Sequence, residues 1–292
     1  MSYIKLLDDE VINKIAAGEV VERPSSVVKE VLENAVDAQA TSISIEIEDG
    51  GTTQIIISDN GRGMSGPDCM LSVKRHATSK VKCTEDLFAI STMGFRGEAL
   101  ASIAAVSNFS LTSKTKDCKN GTRISIGKNQ IISKTPWNGP VGTCICVGNL
   151  FFNVPVRKKF LKSVQAEYAS IYDQVVGFSL SNPHVSISLT HQKKKRLVLY
   201  GCEKKINHNN YIGEQIIRAR LVEIWGEQTV SQLLYIKQEG KYCKIEALIS
   251  PPGVEKATGS RILCFVNGRW VKDKTLRYGI LRGYHSHLLR GR

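Results

Sequence analysis

The chain has 292 residues, 42% hydrophobic and 23% charged, a balance that excludes bulk disorder and gives room for two domains. The opening MSYIKLLDDEVINKIAAGEV has acids where a secretory leader needs cations, and no apolar run approaches about 18 residues, so the chain reads as cytoplasmic with no membrane partner. The formal charge of +13 is segregated: residues 1–150 hold 16 Lys and Arg against 17 Asp and Glu, residues 151–292 hold 24 against 10, and this excess favours a polyanionic partner such as nucleic acid.

VVKEVLENAVDA, residues 27–38, has helical spacing. At about 100° per residue, Glu30, Glu33, Asn34 and Asp37 share one arc and Val27, Val28, Val31, Leu32, Ala35 and Val36 the other. Like charges at i,i+4 are unfavourable, so either water solvates the acidic stripe or a cation and a substrate use it. Ile43, Ile45 and Ile47 then alternate with polar residues, and after a glycine-containing turn comes Ile55–Ile57. Two strands joined so tightly are antiparallel. Residues 108–148 read as further short strands separated by turns at Asn120-Gly121 and Asn138-Gly139-Pro140.

A long amphipathic helix with a basic first turn is expected over 157–182, then strands around 185–200. After the polar stretch 201–210 a helix is expected near 213–225, strands near 232–238, 242–249 and 261–267, and a helix over 273–289. The fold class is α+β: a two-layer sandwich with a largely antiparallel sheet covered by helices on one face, over residues 1–205, followed by a smaller α/β domain over 206–292. The last helix has no cap and no following strand, so the second domain is expected to be incomplete at its C-terminus.

Two glycine motifs fail on context. GRGMSG, 61–66, fits G-x-G-x-x-G but follows a hairpin, whereas the dinucleotide fingerprint needs a parallel βαβ unit. GTRISIGKN, 121–129, lacks the spacing and the hydroxyl of a Walker loop. The eight cysteines form no C-x-x-C and read as reduced thiols, and His285 and His287 have no nearby partners for a metal.

What remains is an ordered set: the acidic helix, DNGRG at a strand end, RHATSK at 75–80, GFRGEAL at 94–100 and the Gly-Thr pair 142–143. Together these resemble the nucleotide site of the gyrase, heat-shock chaperone, histidine kinase and MutL ATPase superfamily. KIAAGEVVERPSSVVKEVLENAVDA, RHATSK, GFRGEAL, LFFNVPVRKKFL and FVNGRWVKDK narrow the resemblance to the MutL family of DNA mismatch repair proteins, whose second domain is of the transducer type.

The resemblance implies an ATPase that uses ATP and Mg²⁺. It makes Glu30 the general base and Asn34, a hard neutral oxygen, the magnesium ligand; Glu33 and Asp37 read equally well as solvated or locally paired groups. It gives Asp59 the adenine amino group, with Gly61, Gly63 and Met64 beside the base and ribose and Thr143 as an adenine-side hydroxyl. Thr78, Ser79 and Lys80 are expected at a lid. Phe95, Arg96, Gly97 and Leu100 are expected near the triphosphate at a helix start, with Arg96 equally suited to a structural salt bridge.

In the basic half Arg157, Lys158, Lys159, Arg269, Lys272 and Lys274 are the candidate DNA contacts, made to phosphate with little base readout, and Trp270 reads as packing. The family further implies a homodimer formed on ATP binding, with ordering of the lid and of the arm at residues 1–20, and partnership with a mismatch-recognition protein and downstream repair enzymes. Two departures stand out: Asn149 replaces a frequent acidic residue, and a downstream VHPxK-like lysine is absent, which predicts weak turnover by these 292 residues.

Overall fold

The computed structural model describes residues 8, 17–18, 20–79, 97–127, 130–202, 213–252, 254 and 261–284. The chain divides into two compact units, residues 1–175 with 185–201, and residues 176–184 with 202–292. The polar stretch in which the sequence places the boundary falls mostly on 203–212, outside the described residues.

In the first unit, helix α1 (Pro24–Asp37) begins three residues before the expected start because Pro24 occupies its first turn, where a missing N–H costs nothing. Strands β1 (Ser42–Glu48) and β2 (Gln54–Asp59) form the expected antiparallel hairpin. Helix α2 (Gly66–Ser72) is capped by the Ser65 hydroxyl, which accepts from the Asp68 N–H at 3.2 Å. Helix α3 (Ala99–Ala105) leads into β3 (Asn108–Lys114), β4 (Gly121–Gly127), β5 (Gln130–Trp137) and β6 (Gly142–Gly148). After helices α4 (Pro155–Lys159) and α5 (Val164–Ser181), of which residues 176–181 belong to the second unit, come β7 (Ser186–His191) and β8 (Lys194–Leu199).

The eight strands make one sheet in the order β5-β4-β3-β6-β2-β1-β7-β8, antiparallel throughout except for the β1–β7 pair. Period-2 alternation and this register line up one buried row across seven strands: Leu197, Leu189, Ile45, Ile57, Ile145, Leu111 and Ile124. The apolar side of α1, with Val27, Val28, Val31, Leu32 and Ala35 all buried, belongs to the same core, and α1 packs on β2 and α3.

The helix expected over 157–182 is two helices. Its basic start is the one-turn α4, and Ser163 then caps a new helix, its hydroxyl accepting from the Ala166 N–H at 3.3 Å. The capping serine, hidden among polar neighbours, is the local reason for the break.

The second unit contains α6 (Glu214–Trp225), α7 (Glu227–Val230), the antiparallel pair β9 (Leu234–Glu239) and β10 (Lys244–Ile249), the hairpin β11 (Cys264–Val266) and β12 (Arg269–Val271), and α8 (Lys274–Gly283). The single strand expected at 261–267 is a hairpin: Asn267 and Gly268 both have positive φ, +49° and +77°, as the tight two-residue turn requires. Asp273 caps α8, accepting from the Leu276 N–H at 2.7 Å. The end of the expected 273–289 helix lies outside the described residues from 285 onward. Among the described residues, no helix is long and apolar enough to cross a membrane.

Candidate nucleotide site

The row that follows Ile57, Ile145, Leu111 and Ile124 on the same face of the sheet is polar: Asp59 on β2 pairs with Thr143 on β6, which pairs with Ser113 on β3, which pairs with Thr122 on β4. Two of these residues were not identified from sequence. Ser113 is completely buried, and its hydroxyl accepts from the Met64 N–H at 2.8 Å, lies 2.9 Å from the Gly142 carbonyl and lies 2.9 Å from the Thr143 hydroxyl. It therefore joins the 59–64 turn to the start of β6.

Asp59 is held by the same framework. Its Oδ1 accepts from the Gly61 N–H at 2.8 Å. Burial pushes the carboxyl above the ordinary aspartate range, against the opposing pull of backbone N–H groups of Gly61 and Thr143. A half-buried, oriented carboxylate of this kind suits an exocyclic amine.

The glycines here have steric reasons. Gly63 has φ +70° and would drive a side chain into the Lys114 carbonyl, and Gly142 has φ +130° and would drive one into the Asp59 carbonyl. Gly61 is packed on Ala38, whose carbonyl accepts from the Arg62 N–H at 2.9 Å. The turn carrying Asp59, Gly61, Gly63 and Met64 thus abuts the C-terminal end of α1.

On α1 itself Glu30, Glu33, Asn34 and Asp37 are half-buried, in contrast to the buried opposite side. The exposed residue Lys29 reaches across the stripe, its Nζ 3.4 Å from Glu30 Oε1 and 3.7 Å from Glu33 Oε1. Among the described residues no group of three or more His, Cys, Asp or Glu could cage an ion. One amide oxygen on a helix face, with acids beside it, fits Mg²⁺ that takes its other ligands from phosphates and water.

The two motifs flanking residues 80–96 meet. Gly97, at φ +64°, is so close to the Ala77 carbonyl and the Thr78 side chain that a Cβ there would come within 2.7 Å and 3.0 Å of them. His76 Nδ1 lies 3.0 Å from Glu98 Oε1, a second link that sequence reading did not find. Thr78 and Ser79 are exposed, Leu100 is half-buried, and α3, which Leu100 opens with Ala99, packs on α1. Lys80, Phe95 and Arg96 lie outside the described residues.

The candidate DNA contacts are placed unevenly. In the first unit Lys158 and Lys159 are exposed, but Arg157 is half-buried with its guanidinium against the backbone of Gly18. In the second unit Arg269, Lys272 and Lys274 are exposed, and Lys272 Nζ sits 4.5 Å from the centroid of the Trp270 ring. Trp270 packs on Gly177, in keeping with its reading as a packing residue.

Against known proteins, a family model described as a histidine kinase-, DNA gyrase B- and HSP90-like ATPase matches residues 22–139. A second, described as the C-terminal domain of DNA mismatch repair protein, matches residues 221–292. Over all 292 residues the chain is 44% identical to DNA mismatch repair protein MutL of Geobacillus kaustophilus and 42% identical to that of Bacillus mycoides. It spans 44% and 43% of those proteins, less than half of either. Among solved structures, the Aquifex aeolicus MutL ATPase domain complexed with ADP aligns with a TM-score of 0.64 at 28% identity, covering 90% of this chain and 88% of that one. The chain belongs to the MutL family of DNA mismatch repair proteins and carries that family's gyrase- and HSP90-like ATPase domain.

Proposed function

We propose that the chain binds ATP between the polar face of α1 and the 59–64 turn and hydrolyses it. The observation that carries this reading is the Asp59, Thr143 and Ser113 row, which meets the end of the helix bearing Glu30 and Asn34. Asp59 accepts from the adenine amino group, Thr143 lines the base, and the Gly61–Met64 backbone lies along base and ribose. Asn34 would hold Mg²⁺ through its amide oxygen, and the ion would supply charge that neutralises phosphate oxygens. Glu30 takes the proton from the water that attacks the γ-phosphorus, and ADP leaves.

Nucleotide binding orders the lid that includes Thr78, Ser79 and Lys80, together with the arm at residues 1–20, and brings two such heads together, with phosphate contacts from the basic half holding DNA. The ADP complex of the Aquifex relative supports the nucleotide, and the mismatch repair relatives support the DNA setting.

The test is Glu30→Ala. The variant is expected to retain affinity for ATP with Mg²⁺ and to lose turnover by at least a hundredfold, in the range typical of a removed general base. Hydrolysis at the parent rate would remove Glu30 from its role. Loss of binding along with turnover would point instead to a ligand role for this carboxylate.

A further inference from the structure

Glu167, in the first turn of α5, is completely buried, although nothing in the ATP reading uses it. Its Oε1 accepts from the Lys162 backbone N–H at 2.9 Å and lies 3.8 Å from Arg23 Nη1. Its Oε2 is buried without a hydrogen-bond partner among the described residues. A buried carboxylate left half satisfied is costly, and an oxygen in that position calls for a structural or functional explanation.

The two polar groups at Glu167 Oε1 come from the basic turn after α4 and from the start of α1. Lys162 closes the basic turn that follows α4, two residues after the exposed Lys158–Lys159–Phe160 run. Arg23 is the residue immediately before α1, seven positions ahead of Glu30, and its side chain is 34% exposed and so has room to move. Further contacts rest the first turn of α1 on α5: Ser170 Oγ donates to Ser25 Oγ at 2.9 Å, and Pro24 and Ile171 pack on the same side of Gly51. The Arg157 guanidinium, from the same basic segment, lies on Gly18 just upstream.

We propose that Glu167 is a positioning residue that couples the basic turn 157–162 to the start of α1, with its vacant Oε2 taken up by the Arg23 guanidinium when nucleotide on α1 shifts that end of the helix. The inference rests on the nucleotide reading of α1. A bidentate Arg23–Glu167 pair would be charge-assisted and directional, and it would change the hold of Glu167 on the Lys162 N–H in the same step. Because coupling is reciprocal, a ligand on the basic turn would bias α1 to the same extent.

The experiment is hydrogen exchange of the complete chain, with and without a non-hydrolysable ATP analogue and Mg²⁺, for the parent, Glu167→Gln, Arg23→Met and the double variant. Glutamine keeps the shape and the Lys162 contact but removes the charge. In the parent, nucleotide is expected to change exchange in the peptide containing Leu161–Ser163 by at least threefold. Each single variant loses that change while binding the analogue within about threefold of the parent, and the double variant loses nothing more. Unchanged exchange at 161–163 in a parent that binds nucleotide overturns the coupling alone, as does a full response in either variant. A parent that binds no nucleotide overturns the ATP reading and the coupling with it. If Glu167→Gln fails to fold, Arg23→Met, at a partly exposed site, decides the matter.

Discussion

Removing one hydroxyl tests whether the polar row is the frame of the nucleotide site. Ser113 can donate its single proton to the Gly142 carbonyl while accepting from the Met64 N–H and the Thr143 hydroxyl, so all its capacity is used. Ser113→Ala leaves the Met64 N–H and the Gly142 carbonyl without that partner at a site where Ser113 itself is 0% exposed. Each group stranded in this way costs about 1–3 kcal/mol, so the two together cost ~2–6 kcal/mol, a large part of a domain's total. With a urea dependence of about 2–3 kcal/mol per molar, the unfolding midpoint of the first unit drops by roughly 1–2 M. Because the released turn carries Gly61–Met64, affinity for an ATP analogue should fall about tenfold, or ~1.4 kcal/mol. A midpoint within roughly 0.2 M of the parent, together with unchanged affinity, would refute the role given to Ser113.

Three further outcomes follow from the same geometry. Burial raises the Asp59 carboxyl in the folded state, so its favourable contribution to folding is present below the unfolded aspartate range and is lost as pH rises through the raised value; Asp59→Asn should thus leave urea stability at pH 7.5 equal or higher while weakening ATP binding at least tenfold, and a clear destabilisation would contradict the sign. Gly142→Ala should cost more than about 3 kcal/mol because its Cβ meets the Asp59 backbone carbonyl at φ +130°, whereas at Gly127, with only Ile132 side-chain atoms at 3.4 Å and beyond, alanine should cost below about 1 kcal/mol; similar thermal midpoints for the two variants would sink the steric argument. Arg269→Glu should weaken duplex DNA binding and reduce the slope of log affinity against log salt by about one, and an unaltered slope would take Arg269 out of the phosphate contacts.

The alternation of Ile43, Ile45 and Ile47 was enough to identify β1 and its hairpin partner, because period 2 and a tight turn leave no other geometry. The insertion of β7 beside β1 in parallel was not legible: that pairing joins Ser42 to Ser186 across the sequence, and nothing local records it. Register was equally hidden, and register is what creates the site. Ser113 is one of four hydroxyl residues between Ser107 and Ser113, and only its pairing with Thr143 distinguishes it from Ser110, which pairs with Cys146. Arg157, Lys158 and Lys159 are nearly equivalent as letters, yet one turn of helix sends the first toward Gly18 and leaves the other two exposed.

The acidic stripe of α1 shows how far a helical wheel can go. The wheel correctly puts Glu30, Glu33 and Asn34 on a face apart from the core, but it treats Lys29 as belonging to neither face. A four-carbon stem allows the Lys29 ammonium to sit 3.4 Å from Glu30 and 3.7 Å from Glu33, so part of the stripe's repulsion is relieved within the helix itself. With Lys29 48% exposed and the acids 22% and 19% exposed, such pairs contribute only about 0–1 kcal/mol each in water. That offsets the few tenths of a kcal/mol that like charges at i,i+4 cost, and it is too little to hold Glu30 against the water and triphosphate of the proposed ATP reading. The stripe is therefore compatible with a stable helix, and under the proposed ATP reading Glu30 stays accessible to a ligand on that face.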